Sequence, residues 1–161
     1  MNLLEPSLAV LFLGQYKRLL AEVAGKPLAG IADFEQARKR LYENDLNKTY
    51  PMDSEYEPSF IDAVRNAQYG MFICAKEYRQ GYALKSLDNV WYFVTALTTG
   101  LEELVPDWVI IDTAVLPFHG QYVCDGLVVD RNVLIGKNMI NEMIQELKVE
   151  RPGWSSGMRP D

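Results

Sequence analysis

Asp112 and Asp125 are the two side chains whose types and spacing most readily do chemistry. They stand in β-rich runs, Trp108 to Phe118 and Gln121 to Val129, on either side of His119-Gly120. If that dipeptide is a two-residue hairpin loop, Phe118 faces Gln121, Leu116 faces Val123, Ala114 faces Asp125 and Asp112 faces Leu127. The two aspartates then share a sheet face as diagonal neighbours, with Cα atoms about 7–8 Å apart. Carboxylates at that separation can hold a divalent cation, or divide acid and base roles once burial raises one of them. The same residues have plainer readings. Asp125 before Gly126 marks a bulge or bend, and Asp112 bonds Thr113 or a backbone group.

His119 is the only histidine, and its unperturbed pKa is the one nearest neutrality. It also sits where a hairpin wants a positive φ, which histidine tolerates better than most residues. No GxSxG elbow, Walker sequence or GxGxxG spacing accompanies it. Tyr78, Tyr82, Trp91, Tyr92 and Phe93 either line a pocket or partner-binding sheet face, or fill the core. Cys74 and Cys124 lack zinc or redox spacing and read as buried thiols. Arg38, Lys39 and Arg40 read as a solvated helix face able to touch an anion. Trp154, among Pro, Gly and Ser, has little local reason for burial and can dock on a partner or on its own chain.

Elements must position these groups. Leu8, Phe12, Tyr16, Leu19 and Val23 recur at three and four residues, predicting a first helix from Ser7 to about Ala24, ended by Gly25-Lys26-Pro27. Leu13 and Leu20 widen its apolar stripe, so it is deeply packed or shared with a second copy. Asp33 with Gln36 reads as a capping box for a helix from Phe34 to Glu43 that buries Phe34, Ala37 and Leu41. Asn44 to Glu57 has neither hydrophobic period and reads as a surface loop. Pro58 starts a third helix, with Gly70 as its C-terminal cap.

After Gly70 the period changes to that of strands. Met71 to Tyr78 reads as a strand in preference to more helix, and Asp88-Asn89 as a hairpin turn that sets Leu84 opposite Phe93 and Ser86 opposite Trp91. Thr99 with Glu102 caps a short helix stopped by Pro106. The run from Trp108 is apolar on both faces, predicting a covered central strand. Met139, Ile140, Met143, Ile144 and Leu147 mark a closing helix ended by Pro152.

The segment VLPFHGQYVCDGLVV, residues 115–129, resembles a recurrent LPF-x-G/D-x-I-x-YDGL hairpin of a poorly characterised group of bacterial proteins, with Cys124 where that group usually has Tyr. The upstream stretch YALKSLDNVWYFVTALTTGLEELV is similar to the hairpin and short helix that precede it there, so the resemblance spans about residues 60–147. It implies the fold and no chemistry.

Charge and length bound the rest. The chain has 161 residues and a formal charge of −6, which suits one domain. Ser86 to Asp130 contains seven acidic residues and no Lys or Arg, which disfavours a phosphate backbone there. The early apolar run Leu8 to Leu13 is far short of a membrane span, and no basic residue precedes it as in a secretory signal. The expectation is α+β: a helical N-terminal half, an antiparallel β-meander and a C-terminal helix over residues 1–151, with a flexible tail at 152–161. Its expected function is that of a cytoplasmic, bacterial, non-enzymatic interaction or regulatory module. Such a module needs no cofactor and meets a protein partner or a second copy through helix 1 or a sheet edge. The alternative is a small metal-assisted hydrolase in which Asp112 and Asp125 hold the metal and His119 stands near the mouth.

Overall fold

The computed structural model describes residues 3–79 and 81–149. Helix α1 spans Pro6–Ala24. Glu5 caps it by accepting from the N–H groups of Ser7 (3.2 Å) and Leu8 (3.3 Å), and Pro6 fills the first turn, where its missing N–H costs nothing. Gly25 ends the helix at φ +72°, a left-handed conformation that side chains resist. Helix α2 spans Ile31–Glu43, three residues earlier than the sequence suggests. Gly30 is its N-cap, and Asp33 lies inside the first turn, accepting from Ala29 N–H at 3.1 Å.

The 44–57 segment is not a plain loop. It holds a one-turn helix α3, Leu46–Thr49, before helix α4, Pro58–Arg65. Tertiary bonds stabilise that turn without any hydrophobic period: Asn47 Nδ2 donates to Val64 O (2.9 Å) and Arg65 Nη1 to Asn47 O (2.7 Å). Gly70 does not cap α4, which ends at Asn66; it lies within strand β1.

Six strands follow: β1 Gln68–Glu77, β2 Tyr82–Ser86, β3 Trp91–Thr95, β4 Val109–Phe118, β5 Gln121–Cys124 and β6 Val129–Leu134. Helix α5, Lys137–Val149, closes the described chain. The architecture is α+β, with a mixed sheet: β3 and β5 run parallel, while the other strand pairs are antiparallel. The order β1-β2-β3-β5-β4 returns to β1, because β4 pairs with β1 on one edge and with β5 and β6 on the other. The closure between β3 and β5 is short, pairing Val94 with Tyr122 and Thr95 with Val123. β6 remains as the free edge, and it is blunted by a register shift between its two ends and by Asn132 at φ +58°.

Alternation along the strands sorts the core into three parts. Phe72, Cys74, Tyr82, Leu84, Val94, Val109, Ile111, Val115 and Cys124 fill the ring's interior, joined by Leu101 and Val105. Ala114, Leu116, Phe118 and Val123 face outward beneath α1 and α4, where Phe12 meets Phe118 and Phe60 edge-on at 5.3 and 5.4 Å. Ile73, Ala83, Trp91 and Phe93 face outward beneath Met143 and Leu147 of α5. Lys85 reaches from β2 to Glu146 of α5 at 2.8 Å. Most of the aromatic set is therefore core.

Two local expectations need correction. The β2–β3 hairpin pairs Leu84 with Tyr92 and Lys85 with Trp91, one residue away from the expected register. Its loop has three residues, Leu87 to Asn89, with Asn89 at φ +66° and its N–H bonded to Ser86 O at 3.0 Å. Thr99 caps nothing: Gly100 precedes a 3-10 turn over Leu101–Glu103. The expected tail at 152–161, with Trp154 and Pro152, lies outside the described residues. Among the described residues no helix is long and apolar enough to cross a membrane.

Truncating the interior Leu84 to Ala is expected to cost about 2–5 kcal/mol in urea unfolding, against less than about 0.5 kcal/mol for the exposed loop residue Leu87. Equal costs would contradict this register.

Candidate functional site

Strand β5 ends at Cys124, but Asp125 still donates its N–H to Ala114 O at 3.1 Å, as the hairpin register requires. Gly126 then turns the chain at φ +85°, a conformation that favours glycine. The turn adds two residues, so Asp112 pairs with Val129 of β6 rather than with Leu127. Asp125 is thereby aimed beneath the helices, with its side chain fully buried.

Arg38 meets it there. On α2 it lies one turn after Phe34 and one turn before Leu41, on the helix's inward face. Its side chain is 1% exposed. Nη1 donates to Asp125 Oδ1 (3.1 Å) and Oδ2 (3.3 Å), and to the Leu127 carbonyl. Asp125 accepts further bonds from Tyr16 Oη (2.8 Å), Thr113 Oγ1 (3.3 Å) and Leu127 N–H (3.0 Å). Tyr16 Oη also lies 2.8 Å from Tyr42 Oη, and the Arg38 guanidinium rests 5.2 Å over the Tyr69 ring. Five parts of the fold thus converge: α1, α2, β1, β4 and the turn after β5.

Burial acts on Arg38, Tyr16 and Cys124. It disfavours the guanidinium charge, but Asp125 together with Tyr16 and Tyr69 outweighs that cost and raises Arg38. Burial, followed by the Asp125 charge, holds Tyr16 well above its ordinary range. The same two causes push the Cys124 thiol up to about 11, with Thr113 Oγ1 at 3.1 Å from its sulfur. These groups are proton-holding at neutral pH, which suits a structural network and gives no nucleophile.

Above the network lies a cavity of about 350 Å³ between α1, α2, the 96–104 segment and the turn after β5. Leu13, Leu20, Phe34, Leu97 and Leu101 supply most of its wall, and Tyr16, Cys124 and Asp125 its buried end. Lys17, Ile31, Thr98, Thr99 and Leu104 line its exposed end.

Of the residues singled out in the sequence, the two aspartates are paired separately and His119 stands apart from both. Asp112 is held by Arg131 Nη1 at 2.8 Å, so each aspartate has its own arginine. His119 is exposed at φ +51° on the tip of the β4–β5 hairpin, beside Asp62 and Asn66. It lies five residues along β4 from Ala114, roughly 16 Å at the rise of a strand, so the tip is remote from Asp125. Among the described residues no group of three or more His, Cys, Asp and Glu could hold a metal ion. The residue that sequence reasoning missed is Arg38. Its spacing from Phe34 and Leu41 carried the signal, because it put a charge in the buried stripe of α2.

No family model, no curated protein and no solved structure matches the chain.

Replacing Arg38 with Met leaves a buried carboxylate without its cation and is expected to cost about 3–5 kcal/mol in urea unfolding at neutral pH. Adding Asp125→Asn should recover part of that loss, and a single-variant cost below about 1 kcal/mol would contradict a tightly paired network. A pH effect follows from Cys124. An unfolded chain releases this proton near 9.0, whereas the folded chain keeps it to about 11, so stability falls as pH rises through that window. Cys124→Ala should reduce the slope measured by thermal melts between those values, and an unchanged slope would count against the burial of this thiol.

Proposed function

We propose that this chain is a non-catalytic interaction or regulatory module, working by binding rather than by bond-breaking, with the cavity over the Arg38–Asp125 pair as its binding site. The supporting observation is the cavity's chemistry: an apolar wall whose one acid, Asp125, is already neutralised from below. Pockets of this size and lining suit small ligands or single apolar groups. Ile31 and Leu104, 70% and 45% exposed, stand at its open end. A protein partner or a second copy of the chain can cover that rim. The free, buried thiols of Cys74 and Cys124 suit a reducing, cytoplasmic setting.

The paired-aspartate hydrolase gains no comparable support. The oxygens of Asp125 already accept from Arg38, Tyr16, Thr113 and Leu127 N–H, and Oδ2 of Asp112 accepts from Arg131. Asp125, with both oxygens engaged, is not poised to ligate or to accept a substrate proton, so the pair has no second free carboxylate.

A neutral apolar dye, N-phenyl-1-naphthylamine, should bind with a saturable fluorescence rise. Thr98→Trp, a substitution at the exposed end, should abolish most of it while leaving the melting curve unchanged. Absence of saturable binding to the unaltered chain would overturn the reading.

A further inference from the structure

Resting on that reading, we infer that the cavity's ligand is a free amphipathic carboxylic acid, with an apolar body inside and a single carboxylate at the open end. The volume of about 350 Å³ suits a small molecule, with a body of about eight carbons. The charge comes from the ionic groups in the lining. There are two, Asp125 and Lys17. Asp125 is spent on Arg38 within the protein, so a cationic ligand finds no free acid in the wall.

Lys17 is different. It is exposed on α1 at the open end and makes no ion pair within 4.0 Å among the described residues. Thr98 and Thr99 bring two further exposed hydroxyls to the same end. One ammonium and two hydroxyls form a donor set that complements a carboxylate.

No acid pairs with Lys17 within 4.0 Å among the described residues. Glu102 turns back on Gly100, and neither it nor Glu103 is part of the lining. Asp33, at the start of α2, accepts from Ala29 N–H and lies 3.9 Å from Lys26. A neutral ligand would fill the apolar wall and leave Lys17 unused, whereas a carboxylate uses both.

The test titrates isotopically labelled protein with octanoate, octanamide and octylamine, following backbone amide shifts by NMR. Octanoate should move the amides of Leu13, Thr98 and Leu127 and bind about fivefold more tightly than octanamide, the effect of about 1 kcal/mol for an exposed charge pair. Lys17→Gln should remove that advantage and leave octanamide binding unchanged. Equal binding of octanoate and octanamide, with no effect of Lys17→Gln, would overturn the carboxylate inference while the binding reading stands. Preference for octylamine would overturn it in the opposite sense. Failure of all three probes to move these amides would overturn both.

Discussion

Two opposite charges taken out of water bind the fold to its site. Arg38 comes from the helical half and Asp125 from the turn that ends β5, and neither is tolerable in that position without the other. The carboxylate's remaining capacity is taken up by Tyr16, Thr113 and the Leu127 N–H, so the pair is satisfied from α1, β4 and its own loop as well. Arg38 Nε has no acceptor among the described residues, which adds a cost to the arrangement. An apolar core could hold the helices on the sheet without these charges. What the pair adds is register: α2 and the post-β5 turn meet in one position, and that position sets the buried end of the cavity.

The sheet makes such a turn available. β4 is paired along both edges, and the chain after β5 rejoins it as β6 with two residues added to the hairpin register. Asp125, still bonded to Ala114 O just before that insertion, lies beneath α1 and α2. The outward face of the ring is covered by α1 and α4 on one side and by α5 on the other, so the cavity occurs where that cover stops. Its ionic balance follows from the same geometry: the acid is neutralised inside, and Lys17 is left at the mouth.

Much of this order is legible in the residues. The period of three and four in α1, the continuous apolar run of β4 and the hairpin at His119-Gly120 each carry strong local signals, and the β4–β5 register is the one the two-residue loop dictates. Tertiary contacts decide the rest. The turn of α3 exists because Asn47 and Arg65 bond across to other backbone, and the β2–β3 register depends on Asn89 accepting a left-handed conformation, which lengthens the loop by one residue. Ring closure and the parallel β3–β5 pair leave no mark on neighbouring residues. The Gly126 turn shifts the register only after Asp125, so Asp112 faces Val129 in place of Leu127, and the two aspartates are engaged by different arginines, Arg131 and Arg38. Arg38 was visible as a charge in an apolar stripe, a pattern that flanking Lys39 and Arg40 disguise as a solvated run.

The most direct measurement is hydrogen exchange at the Leu127 amide. Leu127 lies between β5 and β6, and its N–H donates to the Asp125 carboxylate at 3.0 Å. Its protection therefore reports the buried network and not the strand ladder. If the pair holds helix to sheet, Leu127 exchanges only with global unfolding, as slowly as the amides of β4. Exchange on the timescale of an open loop, with β4 still protected, would contradict the account.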